Sequence, residues 1–142
     1  VLNAPSRNYL VLSPRAQNRL LVPADIQGPA GEESSLVLLD ATWAQAKSMS
    51  RRIPNLQKLT FVSLPQSTTP AWQLRRSPGS GFCCTLEAAI RAIEIFEGEA
   101  HVRPLEMALE LVMARALHMR GKLNKLQMEK TCGPIMEFLG AL

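Results

Sequence analysis

At 142 residues, 46% hydrophobic and 20% charged, the chain has the size and composition of one modest globular domain that can bury a core without staples. It holds no apolar run of membrane-spanning length, and its three cysteines, adjacent Cys83 and Cys84 and remote Cys132, supply neither a paired disulfide framework nor a four-ligand metal spacing; a cytoplasmic protein without membrane spans is expected. Sixteen Lys plus Arg against twelve Asp plus Glu give a net charge of +4, which leans toward a polyanionic partner such as a nucleic acid.

The chain opens Val1-Leu2-Asn3, with no methionine and no signal-like pair of charged and apolar regions, and reads as a fragment or a processed start. Residues 8–12, containing Tyr9-Leu10-Val11-Leu12, read as a strand, and residues 19–22 as another closed by Pro23. Only residues 13–18 separate them. That is short for a helical crossover, so the two are expected either to pair as a hairpin or to leave the first outside the main sheet. Residues 24–35, with Gly28-Pro29-Ala30-Gly31, form a loop.

Leu36-Val37-Leu38-Leu39 is an unbroken apolar run, the pattern of a strand buried on both faces. Immediately after it, Asp40, Thr42, Trp43 and Gln45 put a carboxylate, a hydroxyl, an indole and an amide where a strand hands over to a helix. In open α/β sheets ligands bind at that carboxyl end. The competing reading is that Asp40 or Thr42 caps the helix and Trp43 is core.

Residues 41–52 are expected to be helical, with Trp43, Ala46, Lys47 and Ser50 at three-to-four spacing and Pro54 just beyond. Lys47, Arg51 and Arg52 gather charge near its C-terminus, either as a solvated end favoured by the helix dipole or as a contact for RNA phosphates. Residues 59–64 read as the next strand. Residues 66–81 are loop-like, a length that usually signals function or disorder; within them Trp72 and Arg75 offer a base-stacking face and a partner for phosphate or carboxylate, or else Trp72 packs onto the core.

Phe82-Cys83-Cys84 leads into a helix through about Glu97, capped by Thr85 and apolar at Leu86, Ile90, Ile93 and Phe96. Cys84 has no neighbouring histidine and reads as a buried, inert thiol. Residues 103–120 carry the clearest helical pattern: Pro104 early, then Leu105, Ala108, Leu109, Val112, Ala116 and Met119 as a core stripe, and Gly121 as the stop. Met107, Met113, Met119 and Met128 read as gap-fillers, and residues 134–142 as a last short helix. The fold class is α/β, a mostly parallel sheet with flanking helices.

Taken in order, Asp40-Ala41-Thr42-Trp43, Leu74-Arg75 and Cys84-Thr85-Leu86-Glu87-Ala88, downstream of Leu20-Leu21-Val22-Pro23, resemble the DTW-domain family over most of residues 19–95. The resemblance implies a SPOUT-like knotted fold that binds S-adenosylmethionine, although threaded loops are rare in general. It also implies a tRNA-uridine aminocarboxypropyltransferase, which moves a 3-amino-3-carboxypropyl group from that donor to a uridine ring nitrogen. On this reading Asp40 is the general base or a turn residue. Thr42, Trp43, Leu74, Arg75, Cys84, Thr85 and Glu87 serve the donor, and Lys47, Arg51, Arg52, Trp72 and Arg76 meet tRNA.

Relatives often carry Ser where Cys84 stands and Tyr where Trp72 stands. The family usually has a cysteine-rich, zinc-binding segment and a further strand and helix ahead of this region, so residues 1–142 read as one DTW-type domain lacking its N-terminal part and needing no metal of its own. Two other functions fit the same residues: an S-adenosylmethionine-dependent RNA methyltransferase, and a non-catalytic basic RNA-binding module.

Overall fold

A computed structural model of the chain describes residues 7–14, 17–66 and 83–140. These belong to two compact units, residues 1–66 and 67–142. Trp72, Leu74, Arg75 and Arg76, four of the residues singled out above, lie outside the described residues.

In the first unit, strands β1 (Arg7–Leu12), β2 (Arg19–Leu20), β3 (Glu33–Val37) and β4 (Thr60–Ser63) form one sheet in the order β2-β4-β1-β3. Every pairing is parallel. The centre is apolar, with Leu10 and Val11 of β1 and Val62 of β4 fully buried. Helix α1 (Trp43–Arg52) and the single turn α2 (Pro54–Gln57) connect β3 to β4.

The first two strands follow neither expected course. β1 lies inside the sheet, and β2 is parallel to it with β4 between them. A parallel return normally needs a dozen or more residues because the chain must travel back along the whole strand. Here it need not travel back. Leu12 and Arg19 both stand opposite Val62, so β2 starts at the level where β1 stops. The step sideways is two strand spacings, about 10 Å, and six residues can extend to roughly 20 Å.

Hydrogen bonds hold the two ends of this step. Ser13 N–H donates to Val62 O at 2.9 Å and Leu21 N–H to Ser63 O at 2.8 Å, while Ser63 Oγ–H and Asn18 Nδ2–H both donate to Ser13 O, at 2.7 and 3.0 Å. After β2, the chain turns through a short 3-10 helix at Pro23–Ile26. Asp25 of that turn accepts two hydrogen bonds from the Arg19 guanidinium, at 2.7 and 2.8 Å, and one from Val22 N–H at 2.9 Å.

The apolar run at residues 36–39 is a correction. β3 ends at Val37, pairs with β1 on one flank and forms an outer strand of the described sheet; Leu36 to Leu39 are all half-buried. A run of apolar residues reports hydrophobicity but not a strand's place in the sheet, and the fully buried place belongs to β1.

The second unit is helical: α3 (Thr85–Glu97), α4 (Glu99–Met119) and α5 (Lys125–Gly140). Gly98 alone joins α3 to α4, at φ +90°, a conformation that costs glycine least. Helix α4 starts a turn earlier than expected, which leaves Pro104 inside it.

The apolar stripe is also displaced. Val102, Leu109 and Met113 pack with Ile90 of α3 into the core, whereas Leu105, Val112 and Met119 are exposed, Met119 at 86%. Helix α4 carries two apolar faces, and the expected stripe mixes them: its Leu109 is buried in the core, whereas its Leu105, Val112 and Met119 are exposed. Of the methionines read as gap-fillers, Met107 and Met113 are buried and Met119 is not. Likewise Leu86 is exposed rather than core.

Gly121 does end α4. Its φ is +68°, its N–H donates to His118 O at 2.9 Å, and Lys122 N–H donates to Leu117 O at 2.9 Å, the paired bonds of a Schellman stop. Beyond it α5 begins at Lys125, nine residues before the expected start at Pro134, and contains Gly133 and Pro134 in its interior. Tertiary packing of the buried Cys132 and Ile135 offsets their poor helix propensity.

The Arg19 guanidinium, by hydrogen bonding first of all, holds the Asp25 carboxyl below the ordinary value of 3.8; burial opposes it, and Val22 N–H adds to it. A carboxyl whose folded value is depressed stabilises the fold above its unfolded value and loses that contribution as pH falls through the folded one. Asp25→Asn is therefore expected to cost about 1 kcal/mol at neutral pH, since Arg19 is half exposed. Urea unfolding should show the gap between wild type and variant constant from pH 5 to 8 and closing below about pH 4.

Candidate functional site

Two groups of candidate residues are described, one in each unit. In the first, Asp40 follows the carboxyl end of β3 and is exposed, Thr42 caps α1, and Trp43 opens that helix half-buried. The cap is reciprocal. Gln45 N–H donates to Thr42 Oγ1 at 3.3 Å, and Gln45 Oε1 accepts from Thr42 N–H at 3.0 Å and from Thr42 Oγ1–H at 2.8 Å. Two helix-end donors are thus satisfied.

The expected cap is present and falls to Thr42. The Asp40 carboxylate stands two residues ahead of the cap, at the sheet end where α/β folds hold ligands. Lys47, Arg51 and Arg52 all lie exposed on α1, the two arginines in its last turn.

The second group sits at the start of α3. Its N-cap is Cys84, not Thr85: Cys84 Sγ accepts from Glu87 N–H at 3.3 Å. Thr85 is the first helical residue. Sulfur is a weak acceptor, and a serine at this position would cap with oxygen instead. Cys84 is half-buried and packs on the Ile90, Val102, Leu109 and Met113 cluster. Beside it, burial and then the Glu87 carboxylate push the Cys83 thiol up, against the Arg91 guanidinium, which keeps it protonated and unreactive at neutral pH.

Glu87 itself is only 5% exposed, in the first turn of α3 where the helix dipole favours a carboxylate. It lines a groove of about 520 Å³ together with Arg91, Glu94 and Glu110, none of which the sequence reading singled out. The signal was present in the spacing, since Glu87, Arg91 and Glu94 recur at helical intervals on one face.

The structure thus gathers Asp40, Thr42 and Trp43 in one unit, and Cys84, Thr85 and Glu87 in the other. These features define a parallel α/β sheet with polar chemistry at a strand's carboxyl end, joined in sequence to a helical unit. The DTW domain family matches residues 1–117, and the chain belongs to that family. It is 30% identical over 103 residues to tRNA-uridine aminocarboxypropyltransferase 2 of Drosophila melanogaster, a match covering 72% of this chain and 39% of that protein. The chain therefore spans well under two thirds of that relative's length. No solved structure matches.

Thr42→Ala removes the oxygen that caps α1 and should destabilise the protein by about 1 kcal/mol, whereas Thr42→Ser should lose only a few tenths. Thermal unfolding of the pair checks it. Equal losses in both would mean that the threonine methyl, not the cap, carries the contribution.

Proposed function

We propose that the chain is the catalytic part of a tRNA-modifying transferase, which moves a 3-amino-3-carboxypropyl group from S-adenosylmethionine to a uridine ring nitrogen and releases methylthioadenosine. The observation that carries this reading is the placement of Asp40-Ala41-Thr42-Trp43, a family motif, at the carboxyl end of a parallel strand. The name of the fly relative supports the reaction class. A SPOUT-like fold is part of the reading, supported by the all-parallel sheet and by the short passage between β1 and β2. So is a reducing cytoplasmic location, which the three free thiols support.

The side chains at the strand end suit such a donor: the half-buried indole of Trp43 offers an apolar face, and the Thr42 hydroxyl, whose proton goes to Gln45 Oε1, keeps one lone pair to accept a hydrogen bond from a nucleoside bearing an amino acid chain. The donor supplies an electrophilic carbon. The chain's own task is to orient it and to free the uridine nitrogen of its proton, because that nitrogen is weakly nucleophilic until deprotonated. Asp40 is assigned as the base that accepts this proton. Thr42, Trp43, Cys84, Thr85 and Glu87, with Leu74 and Arg75, are assigned to the donor; Lys47, Arg51 and Arg52, with Trp72 and Arg76, to tRNA phosphates and bases.

Incubation of the chain with donor and bulk tRNA is expected to release methylthioadenosine and add the aminocarboxypropyl mass to tRNA. Release of S-adenosylhomocysteine would instead mark methyl transfer, and RNA binding without either product a non-catalytic module. Asp40→Asn should keep donor affinity yet slow single-turnover release about a hundredfold or more; near-normal turnover would make Asp40 a turn residue. Reversing Arg51 and Arg52 to Glu should weaken tRNA binding by about tenfold or more and flatten its dependence on salt.

A further inference from the structure

The sixteen lysines and arginines are unevenly placed. Residues 115–130, which comprise the end of α4, the turn at Gly121 and the start of α5, hold five of them: Arg115, Arg120, Lys122, Lys125 and Lys130. Against these stands a single carboxylate, Glu129. The other eleven cations and eleven carboxylates cancel, so the net charge of +4 is the charge of this one segment. We infer that the α4–α5 turn is an RNA-binding surface, a second contact for tRNA phosphates besides the basic end of α1. The choice of RNA among polyanions rests on the transferase reading above.

These cations are available. All five are exposed, and Arg115, Lys122 and Lys130 form no ion pair with a described residue. Lys125 meets Glu129 at 3.7 Å, with the two side chains 78% and 54% exposed. A pair so open to solvent contributes little and yields readily to a phosphate.

Helix stability does not account for the placement. Arg115 and Arg120 stand toward the C-terminal end of α4, where the dipole favours a cation, but Lys122 and Lys125 stand at the N-terminal end of α5, where it disfavours one. That end is already closed by its own cap: Gln127 N–H donates to Asn124 Oδ1 at 2.8 Å, and Asn124 N–H to Gln127 Oε1 at 3.0 Å. Lys125 also precedes Glu129 by four residues, the less favourable order for such a pair. An anion bound beside the turn offsets the cost of keeping two lysines there.

The dimensions suit a nucleic acid. Residues 115–120 and 125–130 each rise about 8 Å along their helices, which pack against each other; a duplex carries one phosphate charge per roughly 1.7 Å of its axis, about five over that length. A lipid surface suits the turn less well. Met119 and Leu126 are exposed among the cations, but a helix lying on a bilayer presents one continuous apolar face. At 3.6 residues per turn, the exposed Leu126, Met136 and Phe138 fall on different sides of α5. Four of the five cations lie beyond residues 1–117, the span of the family match, so this contact is separate from the motif chemistry.

The test is fluorescence anisotropy of labelled bulk tRNA with the full chain, over a series of salt concentrations. The triple variant Lys122→Gln, Lys125→Gln and Lys130→Gln is expected to bind about tenfold or more weakly at low salt, with a salt slope lower by about two or more. The triple Lys122→Arg, Lys125→Arg and Lys130→Arg should bind like wild type. Thermal unfolding should find the Gln triple no less stable than wild type, because the dipole of α5 is relieved of two cations. Independently of any variant, tRNA should slow acetylation of Lys122, Lys125 and Lys130 in the wild-type chain, read by mass spectrometry. The inference falls if the Gln triple binds tRNA like wild type, or if the three lysines acetylate equally fast with and without tRNA. It falls equally if the Gln triple loses binding to phosphatidylserine vesicles and keeps tRNA, which would make the turn a membrane contact. Neither measurement needs turnover, so a wild-type chain that binds tRNA through these lysines yet releases no methylthioadenosine would count against the transferase reading alone.

Discussion

The sheet depends on β4 standing between two strands that the chain joins by only six residues. Ser13 and Ser63 secure that arrangement, because the Ser13 carbonyl accepts from both Ser63 Oγ–H and Asn18 Nδ2–H on the way from β1 to β2. With the step held at the level of Val62, every strand runs in one direction and all their carboxyl ends face the same way. Asp40, Thr42 and Trp43 inherit their position from this. If β1 and β2 were an antiparallel hairpin, one of their carboxyl ends would lie at the opposite edge from the motif.

The elements of the fold were largely legible in the residues. Strands at Leu10, Leu36 and Phe61, the helix after Thr42 and the stop at Gly121 all follow from short-range signals: apolar runs, a cap, a glycine with positive φ. What was not legible was their arrangement. No local pattern states that two strands begin and end at the same height, which is what lets residues 13–18 serve as a parallel connection. For the same reason hydrophobicity misplaced residues 36–39, since an outer strand and an inner one can share a composition.

The candidate site divides along similar lines. The motif residues were found from their order in the chain, and the structure added local roles for two of them: Thr42 as the cap of α1, and Cys84 in the place given to Thr85. Glu87 shows the limit of that approach. It was singled out as part of a motif, and the spacing along α3 already set Arg91 and Glu94 on its face, yet its burial and the nearness of Glu110 emerge only when α4 is packed beside α3. The two apolar faces of α4 obscured this, because a stripe that ends exposed has the same period as one that ends in the core.

The order of strands also bears on how the molecule acquires its structure. In the helical unit each helix packs on the next in sequence, α3 on α4 and α4 on α5, so most of its contacts close short loops and can form quickly. The sheet has no such sequence of neighbours. β1 gains its inner position only when β4, some fifty residues away along the chain, enters between it and β2, and the entropy of closing that loop is lost before the buried contacts of Val62 are gained. Insertion of β4 is thus the expected slow event of sheet formation, and a nascent chain that stops short of Thr60 holds β1 and β2 without the strand that both of them pair with.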